Sequence, residues 1–369
     1  MRATRLQLRD FRNYEHAEVA LGAGLTLVVG ANGAGKTNLL EGAYFGCTGR
    51  SPRTSNEREV VRRGAATARV VLDTVSDEGV HRIEVGFEPG EPKRLRVDGR
   101  AVTSLTGVEE RPLVSVFLPE RLELVKGPPS GRRAHLDHVV AALWPARTET
   151  RSAYLRALAQ RNALLVRIRR RQAGPGALAA WDAELARHGA RLMEDRGEAV
   201  EWLRPAFVDL AARLGLPGDA ELAYRPRSEA NDAAGLAAEL AARREADVER
   251  GFTTHGPHRD ELSLSLRGRS LRVYGSQGQQ RVALLALLFA ERSLLAECRN
   301  RPPLMLLDDV MSELDAARRG LLADLLADGG QAIVTATETD QVPAAALADG
   351  RVVRVEEGAI AREIGAVAA

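Results

Sequence analysis

The octapeptide "GANGAGKT", Gly30 to Thr37, constrains this chain more than any other stretch. It fits the pattern G-x-x-x-x-G-K-[ST] in full. The run before it, "LTLVV", is short and apolar and stops at Gly30, as a buried strand does. The run after it, "NLLEGAYFGC", places Leu39, Leu40, Ala43, Tyr44 and Cys47 at helical spacing. Strand, glycine-rich loop and helix in that order call for an α/β architecture. They also define a chemistry. Gly30, Gly33 and Gly35 permit a tight loop in which backbone N–H groups, those of Ala31, Asn32 and Ala34 included, converge on phosphates at a helix N-terminus. Lys36 brings a charge to β- and γ-phosphates, and the Thr37 hydroxyl suits Mg²⁺. The expected cofactors are ATP and Mg²⁺.

Composition narrows the class. With 369 residues there is room for two or three domains. No apolar run reaches 18 residues, and the N-terminus lacks the apolar core of a signal peptide, so a cytoplasmic protein with no membrane partner is expected. Cys47 and Cys298 both fall in apolar helical patterns and read as reduced core residues. Net charge is only +2, but it is unevenly spread. Residues 121–172 hold twelve Arg or Lys against three Asp or Glu. Such a patch points to a polyanion. Three lysines against 49 arginines weaken the point, because arginine is favoured throughout this chain.

The texture of the chain changes twice. Strand-like runs continue to "LVSVFLPE"; residues from about 132 to 250 are rich in Ala, Leu, Arg and Glu, broken at "QAGPGA" and "GLPGD"; strands return at "ELSLSLRG", "PLMLLDD" and "QAIVTAT". Both ends are therefore expected to build one ATPase head (1–120 and 251–369) around an inserted helical domain (121–250).

Two further motifs carry chemistry. In "PPLMLLDDVMSELD", Leu304 to Leu307 read as a buried parallel strand. Asp308 at its C-terminal end is placed to hold Mg²⁺, and Asp309 to polarise an attacking water. In "GSQGQQR", Ser276, Gly278 and Gln279 open a long helix, and a helix N-terminus with a hydroxyl is suited to an anion. One lobe cannot easily aim two such helix ends at one γ-phosphate, whereas two copies related by a two-fold axis can. The alternative for Ser276 is an ordinary helix N-cap.

These motifs together resemble the ABC-type ATPases. The ordered series "FRNY", "NGAGKTNLLEGAY", "GRSPR", "LPERLELVKGPPSGRRAHLD", "THGPHRDEL", "GSQGQQR" and "LLDDVMSELD" resembles, more narrowly, the RecF family over nearly the whole chain. The resemblance implies an ATP-dependent homodimer that binds DNA at gaps and junctions of single and double strand. It also implies partnership with RecR and RecO in placing RecA, and slow ATP turnover. On the same footing Lys36 and Thr37 bind nucleotide and Mg²⁺, Asp308 is the metal-side acid, Ser276 to Gln280 form a signature acting in trans, and Ser312 to Asp315 cross the dimer interface. Some positions depart from transport ATPases: Asp309 replaces a glutamate, "LVSVFLPE" has no sensor glutamine, and Thr335 and Thr337 stand where a histidine would follow "QAIVTAT". The nucleotide-binding subunit of an ABC transporter is the alternative reading. Arg50, Arg53, Arg132 and Arg133 are candidate contacts to phosphate backbone, with solvated faces or interdomain ion pairs as the plainer account. The run "RIRRR" reads as a basic helix end, and His255, His258 and Asp260 as a rigid turn rather than a metal site.

Overall fold

The computed structural model describes residues 1–216, 218–347 and 350–364. In chain order its strands are β1 (Arg2–Phe11), β2 (Tyr14–Ala20), β3 (Leu25–Val29), β4 (Ala68–Ser76), β5 (Gly79–Phe87), β6 (Arg94–Val97), β7 (Arg100–Val102), β8 (Val114–Phe117), β9 (Ala220–Arg225), β10 (Glu261–Leu266), β11 (Arg269–Ser270), β12 (Leu304–Leu307), β13 (Ala332–Ala336), β14 (Arg351–Glu356) and β15 (Ala359–Ile364). Contacts divide the chain into two compact units, one of Met1–Arg121, Arg213–Gly215 and Leu295–Ala369, the other of Leu122–Ala212 and Leu216–Leu294.

The first unit holds two six-stranded sheets. One is antiparallel throughout, in the order β2-β1-β4-β5-β6-β7. The other runs β15-β14-β3-β13-β12-β8, parallel from β14 to β8 with β15 antiparallel at its edge. The apolar runs explain the second sheet: every residue of β3, β12 and β13 is buried, as strands covered on both faces require. The helix Lys36–Thr48 packs against strands of both sheets and buries Leu39, Leu40, Ala43, Phe45 and Cys47. Each such leucine contributes roughly 1.5–3 kcal/mol of burial energy. Gly42 lets the antiparallel sheet come close, since a Cβ there would stand 2.6 Å from Leu8 Cδ2. Burial also pushes the Cys47 thiol up to about 12.

The second unit is built from helices Pro129–Leu143, Thr148–Arg169, Leu178–Arg213, Ala233–Ala242 and Arg244–Arg250, with a small sheet β11-β10-β9 and most of the helix Gln277–Arg299. Residues 251–294, expected with the head, group here by their contacts. Two expectations need correction. The stretch read as wholly helical contains β9, whose Leu222 and Tyr224 pair with Leu264 and Leu262 of β10. Pairing with a partner strand overrides the helix-favouring composition of "AELAYR". Cys298 is exposed, because the apolar stripe that buries Leu294 and Leu295 ends before the last helical turn.

Buried polar groups in and around "THGPHRDEL" pair within this unit. The Arg161 guanidinium, fully buried, donates to Asp182 (2.7 Å), Asp247 (2.7 Å) and Thr253 Oγ1 (2.8 Å). Asp260 accepts from the Tyr224 hydroxyl and the Arg227 N–H. His255 pairs with Glu239. His258 takes the Tyr154 hydroxyl on Nδ1 (2.7 Å) and donates from Nε2 to the Thr253 carbonyl (3.0 Å). The histidines are therefore satisfied by protein partners. Among the described residues no helix is long and apolar enough to cross a membrane.

Burial lowers the His258 pKa from 6.5 to about 4. A depressed folded-state value means stability that is present above pH 6.5 and lost as pH falls through 4. The loss should approach about 3 kcal/mol. Urea unfolding at a series of pH values should show the decline in this window, and His258→Gln should flatten it.

Candidate nucleotide site

The phosphate loop leaves β3 at Gly30 and enters the helix at Lys36. Two glycines are set by their surroundings. A Cβ at Gly30 would lie 2.3 Å from the Val355 carbonyl oxygen of β14. Gly35 has φ +120°, and a Cβ there would lie 2.7 Å from Asn13 Nδ2. The neighbours come from the turn between β1 and β2. The Tyr14 hydroxyl donates to the Gly35 carbonyl (3.0 Å), Asn13 Nδ2 to the Ala34 carbonyl (3.2 Å), and the Gly358 N–H to that same Ala34 carbonyl (2.8 Å). Burial holds the Tyr14 hydroxyl well above its ordinary pKa, so it stays a donor. Asn13 and Tyr14 brace the loop, yet nothing in "FRNY" as a sequence assigns them that work.

Lys36 Nζ donates to the carbonyls of Gly30 (2.7 Å) and Ala31 (3.0 Å). Its pKa is lowered by burial, against the opposing pull of Asp309 and Asp308. The Thr37 hydroxyl donates to Asp308 Oδ2 (2.8 Å) across 271 residues of sequence. The other carboxylate oxygen, Oδ1, accepts from Thr335 Oγ1 (2.7 Å), and that hydroxyl accepts in turn from the Asp309 N–H (2.9 Å). Strand order explains the meeting: β13, which carries Thr335, lies between β3 and β12. Burial raises the Asp308 pKa; the two threonine hydrogen bonds lower it, and Asp309 adds to the rise. Asp309 has φ +49°, unusual for a residue with a side chain, and its Oδ1 is buried without a hydrogen-bond partner. Asn32, Gly33, Lys36, Thr37, Asp308 and Asp309 are among the residues lining one pocket of about 300 Å³.

The arginine candidates separate. Arg53 also lines this pocket and is held by Asn38 Oδ1 (3.0 Å) and the fully buried Glu41 (3.2 Å). Arg12 grips the same Glu41 with two bonds (2.8 and 2.6 Å). Arg132 is corrected: it is buried, donating twice to Glu261 (2.7 and 2.9 Å) and to the carbonyls of Leu124, Val125 and Gly127, so it is a packing residue and not a DNA contact. Arg133 is half-buried and donates to the Asp260 carbonyl (2.8 Å). Arg50 is exposed.

In the second unit, Ser276 sits just before helix Gln277–Arg299. Its Oγ accepts from the Gln279 N–H (3.3 Å), while Gln279 Oε1 accepts from the Ser276 N–H (2.9 Å). This reciprocal pair is a capping box with glutamine at its third helical position. The hydroxyl hydrogen of Ser276 is not used in it, and Ser276 and Gly278 are exposed. The buried Gln280 donates to the Leu271 carbonyl (2.9 Å) and fixes the turn below. Asp315 caps the helix Ala316–Ala327 through the Arg318 N–H.

Residues 3–360 match the family model described as the RecF/RecN/SMC N terminal domain. The chain is 40% identical over 370 residues to "DNA replication and repair protein RecF" of Anaeromyxobacter sp. (strain Fw109-5), covering 98% of this chain and 99% of that one. The chain belongs to the RecF family. The RecF protein of Streptomyces avermitilis is 38% identical over 98% of this chain and all of its own length. Among solved structures, "the recombination mediator protein RecF-ATP in RecFOR pathway" superposes with a TM-score of 0.87 at 28% identity, covering 99% of this chain and 98% of that one. An Smc head bound to the C-terminal winged-helix domain of ScpA superposes at 0.59 with 18% identity, which shows the shared ABC-type head fold alone. The RecF match across the whole length leaves the transporter alternative without support.

Thr335→Val should leave the Asp309 N–H and one Asp308 oxygen without their partner. The expected cost is roughly 1–3 kcal/mol. Thr335→Ser should recover most of it. Comparison of urea midpoints for the two variants checks this.

Proposed function

We propose that this chain is an ATP-driven DNA-binding protein of recombinational repair, in which nucleotide joins two copies. The hydrogen bond from Thr37 to Asp308 carries the reading. It brings the phosphate loop and the acid that ends β12 into one pocket. The residues fit Mg²⁺–ATP: two hard oxygen donors stand side by side, Gly30 and Gly35 leave no room for side chains in the cradle, and a buried Asp309 oxygen faces no protein donor. Thr37 and Asp308 would hold magnesium, which when bound neutralises charge on the β- and γ-phosphates.

The remaining steps belong to the protein's own groups. Backbone N–H groups of residues 30–37 receive the phosphates, and Lys36 exchanges its two loop carbonyls for phosphate oxygens. Asp309 orients and polarises the attacking water. An aspartate is shorter than the glutamate of transport ATPases and holds that water less closely, which suits slow, weak hydrolysis stimulated by DNA. Ser276, Gly278 and Gln279 of a second copy cap the nucleotide in trans, with the unused Ser276 hydroxyl hydrogen and the helix N-terminus directed at the γ-phosphate. Ser312 to Asp315 border the joint between copies; the side chain of Glu313 lies outside the described residues.

The RecF–ATP relative is described as part of a RecFOR pathway. The finer reading follows from the motif resemblance to the RecF family: the present chain binds DNA at gaps and junctions, works with RecR and RecO to place RecA on single strands, and leaves DNA when ATP is hydrolysed. Its place is the cytoplasm, on the nucleoid. Duplex binding is expected to require ATP and to weaken steeply with salt as counterions are released.

Lys36→Ala should abolish ATP binding. Ser276→Ala should keep it but lose the ATP-induced dimer in sedimentation; loss of the cap alone costs only about 1 kcal/mol. A Ser276→Ala protein that dimerises as well as wild type would refute the trans arrangement, and a wild-type chain that stays monomeric in saturating ATP would refute the dimer itself.

A further inference from the structure

The basic run at the end of helix Thr148–Arg169 is not isolated on the surface of the second unit. Arg169 donates to the Arg250 carbonyl (3.2 Å) and lies over Gly251, where a Cβ would meet its guanidinium at 2.9 Å. Next along the chain, Phe252 is 42% exposed, and the Arg259 guanidinium stands 5.4 Å from the centre of its ring. Arg167, Arg169, Arg170, Arg171, Arg250 and Arg259 are all exposed, and the contacts of Arg169 with Arg250 and Gly251 and of Arg259 with Phe252 join the helix end to the segment that follows Arg250.

None of these six guanidiniums has a carboxylate partner among the described ion pairs. Three other exposed arginines of the same unit do have one: Arg187 with Glu184, Arg191 with Glu194 and Arg225 with Glu221. Glu245 and Glu249 are exposed and pair with none of the six, Asp247 is spent inward on Arg161, and Asp260 and Glu261 beside Arg259 are taken by Tyr224, Arg227 and Arg132. A helix C-terminus accounts for two or three cations through its dipole. It accounts equally for Arg250, the last residue of helix Arg244–Arg250, but not for Arg259, which arrives from a different segment. Like charges gathered without counter-charges repel, and that cost is offset when an extended polyanion lies across them. Arginine's planar fork matches phosphate oxygens two at a time. The ring of Phe252 holds Arg259 by its face and keeps that fork from folding back.

We propose that this surface is a contact site for the sugar–phosphate backbone of duplex DNA. The proposal rests on the DNA-binding reading above and adds where on the chain the backbone is held. The six residues lie outside the nucleotide pocket, so ATP binding serves as a control for folding.

The test is duplex binding as a function of salt, with ATP present, for wild type and two triple variants at Arg167, Arg170 and Arg171. Changing all three to Gln should weaken binding and lower the slope of log affinity against log salt by about 2.7, or 0.9 for each phosphate contact. Changing all three to Lys keeps the charge and should keep the slope. ATP binding should be unaltered in both. If wild type binds duplex and the Gln variant binds with the same slope, the assignment is overturned, and an acidic protein segment becomes the occupant to seek. Equal loss in the Lys variant would overturn it too, because charge would not be the cause. A wild type that binds no duplex would overturn the DNA-binding reading and this site with it.

Discussion

One hydrogen bond, from the Thr37 hydroxyl to the Asp308 carboxylate, ties the two ends of the chain at the place where chemistry is expected. It exists because β3, β13 and β12 are adjacent parallel strands, each buried over its full length. Parallel strands end together, so the residue after each one arrives at the same edge. Thr335, on the middle strand, then ties both aspartates through one hydroxyl. The sheet sets the positions, the threonines set the orientations, and Asp309 retains a backbone conformation that few side chains adopt.

Much of this was legible in the sequence. The phosphate loop, the buried strand before the aspartates and the helix after "GSQGQQR" follow from short-range patterns, because glycine spacing and apolar runs are local signals. What was not legible depends on partners distant in sequence. Asn13 and Tyr14 brace the loop through hydrogen bonds to carbonyls, and any polar pair in a turn reads the same before the fold is known. Arg132 read as a backbone contact, a solvated cation or half of an ion pair; only the fold brings Glu261 and three carbonyls to it. Strand β9 was hidden for a related reason, since its alanines and leucines favour helix until β10 pairs with them. Cys298 shows that an apolar helical pattern says little about which turn is the last to be covered.

The signature serine had two readings, an anion ligand or a helix cap. The geometry shows the cap, and it does not exhaust the hydroxyl. Accepting from Gln279 orients the oxygen while leaving its hydrogen available to an incoming oxygen atom. A capped helix end is already ordered, so a ligand meeting it loses less conformational freedom than one that must first fix a loose turn.

The helix that follows the phosphate loop is clasped between two sheets, with Gly42 letting one of them approach within a side chain's breadth. A rod gripped along both flanks cannot swivel about its own axis without prising open two interfaces. A push delivered at its first turn is therefore handed to both sheets at once. The lobe replies as a single block, and the soft joints of such a machine must be sought elsewhere than beneath its phosphate cradle.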